Sequence, residues 1–295
     1  MGRTANLGSK VVVKSRSPSL FYSTHFNREP GEGLEMFRYV SSILSSLPAE
    51  FILLGYNSQA KEACSMSYGQ TPIVLVFDVN ETLLDIDSLE PLFSRLFGDR
   101  HMLREWFAQL VLYSQAVTLA GLYATYTQIG VGVLCMLGEI HNVAIGGSDV
   151  EELQSRIRDL PAHSEVPVTL QRLRKADFRL VTLTNSAPDP QGNPLERTGL
   201  NRYFERMFSI HNLRKFKPAP ETYRSVADSL EVEPAAMCMI AAHTWDTLGA
   251  QAAGCSAALV TRPGNAALPV EGIPQPGIVA SDLALVADEI IKRWR

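Results

Sequence analysis

The stretch "VFDVNETLLD", Val76–Asp85, ends an apolar run in a carboxylate. Pro72 and the run Ile73–Phe77 precede Asp78, and Thr82 follows four residues later. Three further polar groups sit at the ends of apolar runs or in the loops between them. They are Thr184 and Asn185 in "LTNS", Lys217 and Tyr223 in "KPAPETY", and His243, Trp245 and Asp246 in "AAHTWD". A carboxylate in an anion-binding loop can act as a nucleophile. A lysine buried between carboxylates holds them ionised. Each group also has a plainer structural use. Asp78 can form a turn, Thr184 and Asn185 can make a hydrogen-bonded turn, Lys217 can be solvated, and Asp246 can cap the helix that "TLGAQAAG" would start.

Those groups need a scaffold that brings them to one edge. "PIVLVF", "FRLVTLTNS", "MCMIAAHTWD" and "SAALVTR" are short apolar runs of the kind that fill a parallel sheet. Helical patterns such as "APETYRSVADSLEV" separate them, so the expected fold is a doubly wound α/β sheet of Rossmann type. Such sheets collect their reactive groups at the carboxyl ends of the strands. The α/β core is expected over 71–87 and 177–295, with a helical cap inserted over 88–176. Residues 1–70 read as an N-terminal extension of unassigned role, with one helix expected over Leu34–Leu47.

The chain has 295 residues, 46% of them apolar and 20% charged, which fits a globular protein. A net charge of -4 supplies no basic excess for nucleic acid. The four cysteines form no CxxC pair, and the first ten residues lack the apolar core of a signal peptide. A reduced cytoplasmic setting is expected. Trp106–Gly138 carries no charge, yet its glutamines, threonines and four glycines speak against a membrane span. Two amphipathic helices lining an apolar cavity are expected there.

Taken in order, the four motifs resemble the haloacid dehalogenase superfamily and, within it, the type II 2-haloacid dehalogenases. The likeness covers about residues 72–265. "FDVNETLLD" is similar to the "FDxxGT" motif, "LTNS" to "LSNG", "KPAPETY" to "KPxxxxY", and "AAHTWDTLGA" to "SSNxWDxxGA". The resemblance implies Asp78 as the nucleophile that displaces halide from a short 2-haloalkanoic acid. Water would then hydrolyse the aspartyl ester to a 2-hydroxy acid. Thr82, Lys217 and Asp246 would complete the catalytic set, with Asp246 acting on the water. Thr82, Thr184 and Asn185 would bind the substrate carboxylate. Tyr223, Trp245 and Phe107 would wall the halogen, and His243 would take the place of an amide. No cofactor or metal is implied, and a homodimer fits lid-bearing relatives.

Two departures stand out. The subgroup carries an arginine early in its lid, where alignment here gives Phe107 and counting gives Gln109; Arg104 lies one turn earlier. Ala241, Ala242 and His243 stand where the subgroup has Ser, Ser and Asn. The alternative is a Mg²⁺-dependent phosphatase or phosphonate hydrolase. Against it, Asn80 occupies the place of the second aspartate of "DxDxT", and an amide cannot cycle a proton as a carboxyl does. A non-catalytic protein of the same fold is the third reading.

Overall fold

A computed structural model describes residues 71–295; the extension over 1–70 and its expected helix lie outside them. Six parallel strands form one sheet in the order β3-β2-β1-β4-β5-β6. The strands are β1 (Val74–Phe77), β2 (Arg179–Thr184), β3 (Arg206–Ser209), β4 (Met237–Ala241), β5 (Ser256–Val260) and β6 (Ile278–Ala280). This is the doubly wound order, with its switch point between β1 and β4. All four residues of β1 and all five of β4 are buried, which explains why both read as unbroken apolar runs.

The register sets the site. Phe77 is level with Thr182 of β2 and with Ile240 of β4. Asp78 therefore emerges beside Leu183 on one side and Ala241 on the other. Its backbone N–H continues the ladder by donating to the Ile240 carbonyl at 3.0 Å. Thr184–Asn185 and Ala242–His243 follow within two residues on the flanking strands.

Between β1 and β2 run a 3₁₀ turn, Ile86–Leu89, and five helices. These are α1 (Glu90–Phe97), α2 (Met102–Leu119), α3 (Tyr126–Ile140), α4 (Gly147–Arg158) and α5 (Val166–Lys175). The uncharged stretch forms α2 and α3, which pack together, and the Trp106 indole N–H donates to the Gly130 carbonyl at 2.8 Å. No helix among the described residues is long and apolar enough to cross a membrane. A capping box at Thr125 and Gln128 starts α3. α5 packs on β2 and on the last helix, α9 (Leu283–Trp294). It belongs to the layer that covers the sheet.

After β2 come the short α6 (Pro194–Arg197), then α7 (Pro220–Leu230) after β3 and α8 (Thr244–Ala252) after β4. One continuous apolar cluster joins β1, β4 and β5 to Trp106, Leu110 and Leu134 of α2 and α3. At the strand ends the contacts turn polar. The Phe216 N–H donates to the Thr118 hydroxyl at 3.0 Å, and Tyr123 Oη lies 2.8 Å from His211 Nδ1. Thr118 at the end of α2 and Tyr123 just after it thus contact the loops at the carboxyl edge of the sheet.

Candidate active site

Asp78 is buried, and both of its carboxylate oxygens have donors. Lys217 Nζ donates to Oδ1 at 2.8 Å, and the Thr82 hydroxyl donates to Oδ2 at 2.8 Å. Thr82 in turn accepts from the Ala242 N–H at 2.8 Å, which ties the nucleophile loop to the end of β4. Burial pushes the Asp78 carboxyl up, but Lys217 and His243 outweigh it and hold the group well below the usual carboxylate range. Asp78 is therefore ionised at neutral pH.

Lys217 lies in the loop before α7, 1% exposed, joined to Pro218 by a cis peptide. Its ammonium spends all three protons on Asp78, on the Leu183 carbonyl at 3.0 Å and on Asp246 Oδ2 at 2.6 Å. Burial disfavours its charge, yet Asp246 and Asp78 together raise its pKa, so it stays an ammonium. Removing one partner from a buried ion pair typically costs about 3–5 kcal/mol. Lys217 holds two such partners at once.

Asp246 sits in the first turn of α8 and is 0% exposed. Its second oxygen accepts from the Tyr223 hydroxyl at 2.6 Å. Burial and the nearby Asp78 charge raise its pKa despite Lys217. Tyr223, expected on the substrate wall, donates to Asp246 and is not among the residues lining the cavity at Asp78, and burial next to Asp246 pushes its phenol well above the usual range. Gly249 explains how these parts fit. A Cβ there would lie 2.5 Å from Pro218 Cβ and 2.8 Å from Tyr223 Oη, so α8 approaches the lysine loop as only glycine allows.

A cavity of about 220 Å3, including its mouth, opens at Asp78 and is lined by Thr184, Asn185, Phe107, His243 and Trp245. Thr184 Oγ1 accepts from the Ser186 N–H at 3.1 Å, and Asn185 Oδ1 accepts from the Lys217 N–H at 3.0 Å. The Thr184 hydroxyl proton and the Asn185 amide protons remain available to an anion. Asn80, Phe107 and Tyr126 are shared with a second cavity, about 430 Å3 including the open solvent at its mouth, walled by Ile86, Leu89, Trp106, Leu110, Ile157 and Leu160.

Two charged residues that the sequence reading left without a role complete the site. Glu81 is buried, and its Oε2 lies 2.6 Å from His243 Nε2. Arg104 pairs with the other Glu81 oxygen, with Asp87 at 2.8 Å and with the Pro263 carbonyl at 3.0 Å. The arginine nearest to Phe107 therefore serves Glu81 and not the nucleophile. Glu81 adopts φ = 66°, a left-handed conformation. The signal was visible in the sequence: Glu81 stands at the glycine of "FDxxGT", and His243 at the asparagine of "SSNxWD". Glu81, which the sequence reading did not single out, thus meets the departure at His243 in space. Burial raises the Glu81 carboxyl, but His243 and Arg104 bring it below its usual value. Asp78, Glu81, Asp87 and Asp246 thus face Lys217, His243 and Arg104, four carboxylates against three basic side chains.

The family model of haloacid dehalogenase-like hydrolases matches residues 74–254. The chain belongs to that family. Among curated relatives of this haloacid dehalogenase-like hydrolase, (S)-2-haloacid dehalogenase 4A of Burkholderia cepacia is 26% identical over 192 residues. That match covers 64% of this chain and 83% of the relative. The (S)-2-haloacid dehalogenase of Xanthobacter autotrophicus is 27% identical over 203 residues, 66% of this chain and 77% of the relative. The solved L-2-haloacid dehalogenase from Xanthobacter autotrophicus superposes with a TM-score of 0.67 at 22% identity. It covers 74% of this chain and 98% of that one, a likeness of fold.

Proposed function

We propose that this hydrolase cleaves the carbon–halogen bond of a 2-haloalkanoic acid through an Asp78 ester, giving the 2-hydroxy acid. The observation that carries this reading is the state of Asp78. It is an ionised carboxylate with one lysine and one hydroxyl donor, facing a small cavity lined by the rings of Phe107, Tyr126 and Trp245 and by the polar groups of Asn80, Thr184, Asn185 and His243. The substrate carboxylate would lie against the Thr184 hydroxyl and the Asn185 amide. An Asp78 oxygen attacks the carbon bearing the halogen from the side opposite the leaving group. The C–O bond forms as the C–X bond breaks, and halide departs along Phe107 and Trp245. Excluding water from this pocket strengthens the electrostatics of the displacement. Water then hydrolyses the ester and restores Asp78.

The helices that follow β1 serve as a cap over the core, and the apolar chamber beside Phe107 receives the alkyl group. The homodimer and the reduced cytoplasmic setting belong to the same proposal. Leu112, Leu119 and Leu122 leave apolar side chains exposed on and just after α2, and Cys135, Cys238 and Cys255 are free thiols.

The phosphatase alternative asks for a divalent cation and a general acid. The donor set fits neither. Lys217, Tyr223, His243 and Arg104 already occupy the carboxylates around Asp78, and Asn80 Nδ2 rests 3.5 Å from Ser186 Oγ. The experiment is halide release from both enantiomers of short and long 2-haloacids, with EDTA present and Asp78→Asn as control. Release that resists EDTA and vanishes in Asp78→Asn is expected. Hydrolysis of phosphate esters that needs Mg²⁺, with no halide released, would overturn the proposal.

A further inference from the structure

The second half-reaction needs a base for water, and the obvious carboxylate is badly placed for it. Both Asp246 oxygens are engaged, at 2.6 Å each by Lys217 and Tyr223, and the residue does not reach the cavity wall. His243 is placed differently. Its ring lines the cavity, and its Nδ1 lies 3.6 Å from Asp78 Oδ2. That nitrogen is buried and has no hydrogen-bond partner. A buried polar atom without a partner carries an energetic cost, so one aimed at a reactive carboxylate calls for a reason.

The rest of the imidazole is fixed in place. Nε2 is held by Glu81 at 2.6 Å, and Arg104 anchors Glu81 from behind. The ring stacks on Trp245 at 5.1 Å and 17°, and the Phe107 ring lies tilted against it at 5.3 Å. Glu81 holds its position in a backbone conformation that disfavours a long side chain. Strain of this kind, of order 1–3 kcal/mol, persists where surrounding interactions enforce it and clusters at functional sites. A nucleophile, a base within reach of it and a carboxylate orienting that base form the arrangement of hydrolases that work through covalent intermediates.

We infer that His243, oriented by Glu81, is the general base that activates water for hydrolysis of the Asp78 ester, while Asp246 only positions Lys217. The inference rests on the displacement reading above. In the resting site, burial pushes the imidazole down, but Asp78 and Glu81 lift its pKa to about 9. Arg104 stands behind Glu81, Lys217 stands behind Asp78, and Phe107 and Trp245 present only rings. Ester formation removes the Asp78 charge, which is one of the two that hold the proton. The Nδ1 proton passes to solvent and leaves a neutral imidazole tethered through Nε2–H to Glu81. Water then adds to Asp78 Cγ while one of its protons moves to Nδ1. The bond between Cγ and the ester oxygen breaks, and that oxygen leaves on the substrate carbon, taking the second water proton as the product hydroxyl. The water oxygen stays in the regenerated Asp78 carboxylate, and the imidazolium of the resting site is restored. Over the cycle, haloacid and water give hydroxy acid, halide and one proton.

The test is a rapid-quench experiment on the full chain with an active 2-bromoacid, following halide and intact protein mass together. Wild type is expected to turn over without accumulated adduct. His243→Gln is expected to release about one halide per enzyme and then stall. Its mass rises by that of the esterified acid, on the peptide carrying Asp78, and its steady-state rate falls on the order of 10²–10⁴-fold. Glu81→Gln is expected to show the same burst with a smaller fall. His243→Asn, which replaces the ring with a small amide, covers the case of a glutamine variant that does not fold. A histidine serving structure alone would lower burst and steady state equally. Folded His243 variants with undiminished turnover and no adduct would overturn the inference, as would an adduct that accumulates only in Asp246→Asn. Wild type that releases no halide at all would remove the displacement reading and this inference with it. Halide release by wild type therefore separates the two failures.

Discussion

Replacing His243 by glutamine is expected to flatten the alkaline pH dependence of folding stability. In the folded chain the His243 pKa is raised from 6.5 to about 9, because Asp78 and Glu81 outweigh the effect of burial. A raised pKa means that the native state binds the proton more tightly than the unfolded chain. Below pH 6.5 both states hold the proton and the stabilisation is complete. Between 6.5 and 9 the unfolded chain has lost its proton while the native state keeps it, so stability falls as pH rises. Above 9 the contribution is gone. At about 1.4 kcal/mol for each tenfold change in proton affinity, the loss across the window is roughly 3 kcal/mol. Glutamine can still donate to Glu81 but does not titrate. The assay is urea unfolding at pH 6 and at pH 9.5 for both proteins, comparing the change in stability across pH and not the absolute values. Wild type is expected to lose about 3 kcal/mol more than the variant. Equal losses would show that Asp78 and Glu81 do not hold the imidazole protonated.

Gly249→Ala is expected to destabilise by about 1–3 kcal/mol and to abolish activity, since the new methyl meets Pro218 and Tyr223 and displaces the lysine loop. Unchanged urea midpoints would refute this packing argument. The chamber beside Phe107 predicts that 2-bromohexanoate is a better substrate than 2-bromopropionate. Three further buried methylenes contribute up to roughly 2 kcal/mol, on the order of tenfold or more in kcat/KM. A steady fall of kcat/KM with chain length would show that the chamber does not receive substrate.

The strands β1, β2, β4 and β5 were legible because each is an apolar run bounded by polar residues. β3 and β6 were not. They are four and three residues long and lie at the sheet edges, and Met207 and Val279 remain substantially exposed, so no apolar run marks them. Asp78, Thr82, Lys217 and Asp246 could be read from ordered motifs, and all four meet at the carboxyl edge. Tyr223 was legible as a member of the set, but its hydrogen bond to Asp246 was not. The Glu81–His243 pair joins residues 162 positions apart, and neither the helical nor the strand period encodes such a contact. The direction of Arg104 was equally hidden. A long side chain in the first turns of α2 can reach several places, and the one it takes depends on where Glu81 points.

Helix α2 carries Arg104 and Phe107 one turn apart, one holding Glu81 and the other lying against the His243 ring. The same helix presents Trp106 and Leu110 to the apolar chamber. On the proposed reading, one piece of backbone therefore supports the reactive pair and walls the chamber that receives the alkyl group. An insert taken from a relative would change the chamber and remove the supports of Glu81 and His243 in the same exchange. Variation in what the enzyme accepts is freer in Ile86, Leu89, Ile157 and Leu160, which border the chamber without touching that pair. Lineages that diversify their substrates are expected to change there first, and to leave positions 104 and 107 tied to positions 81 and 243.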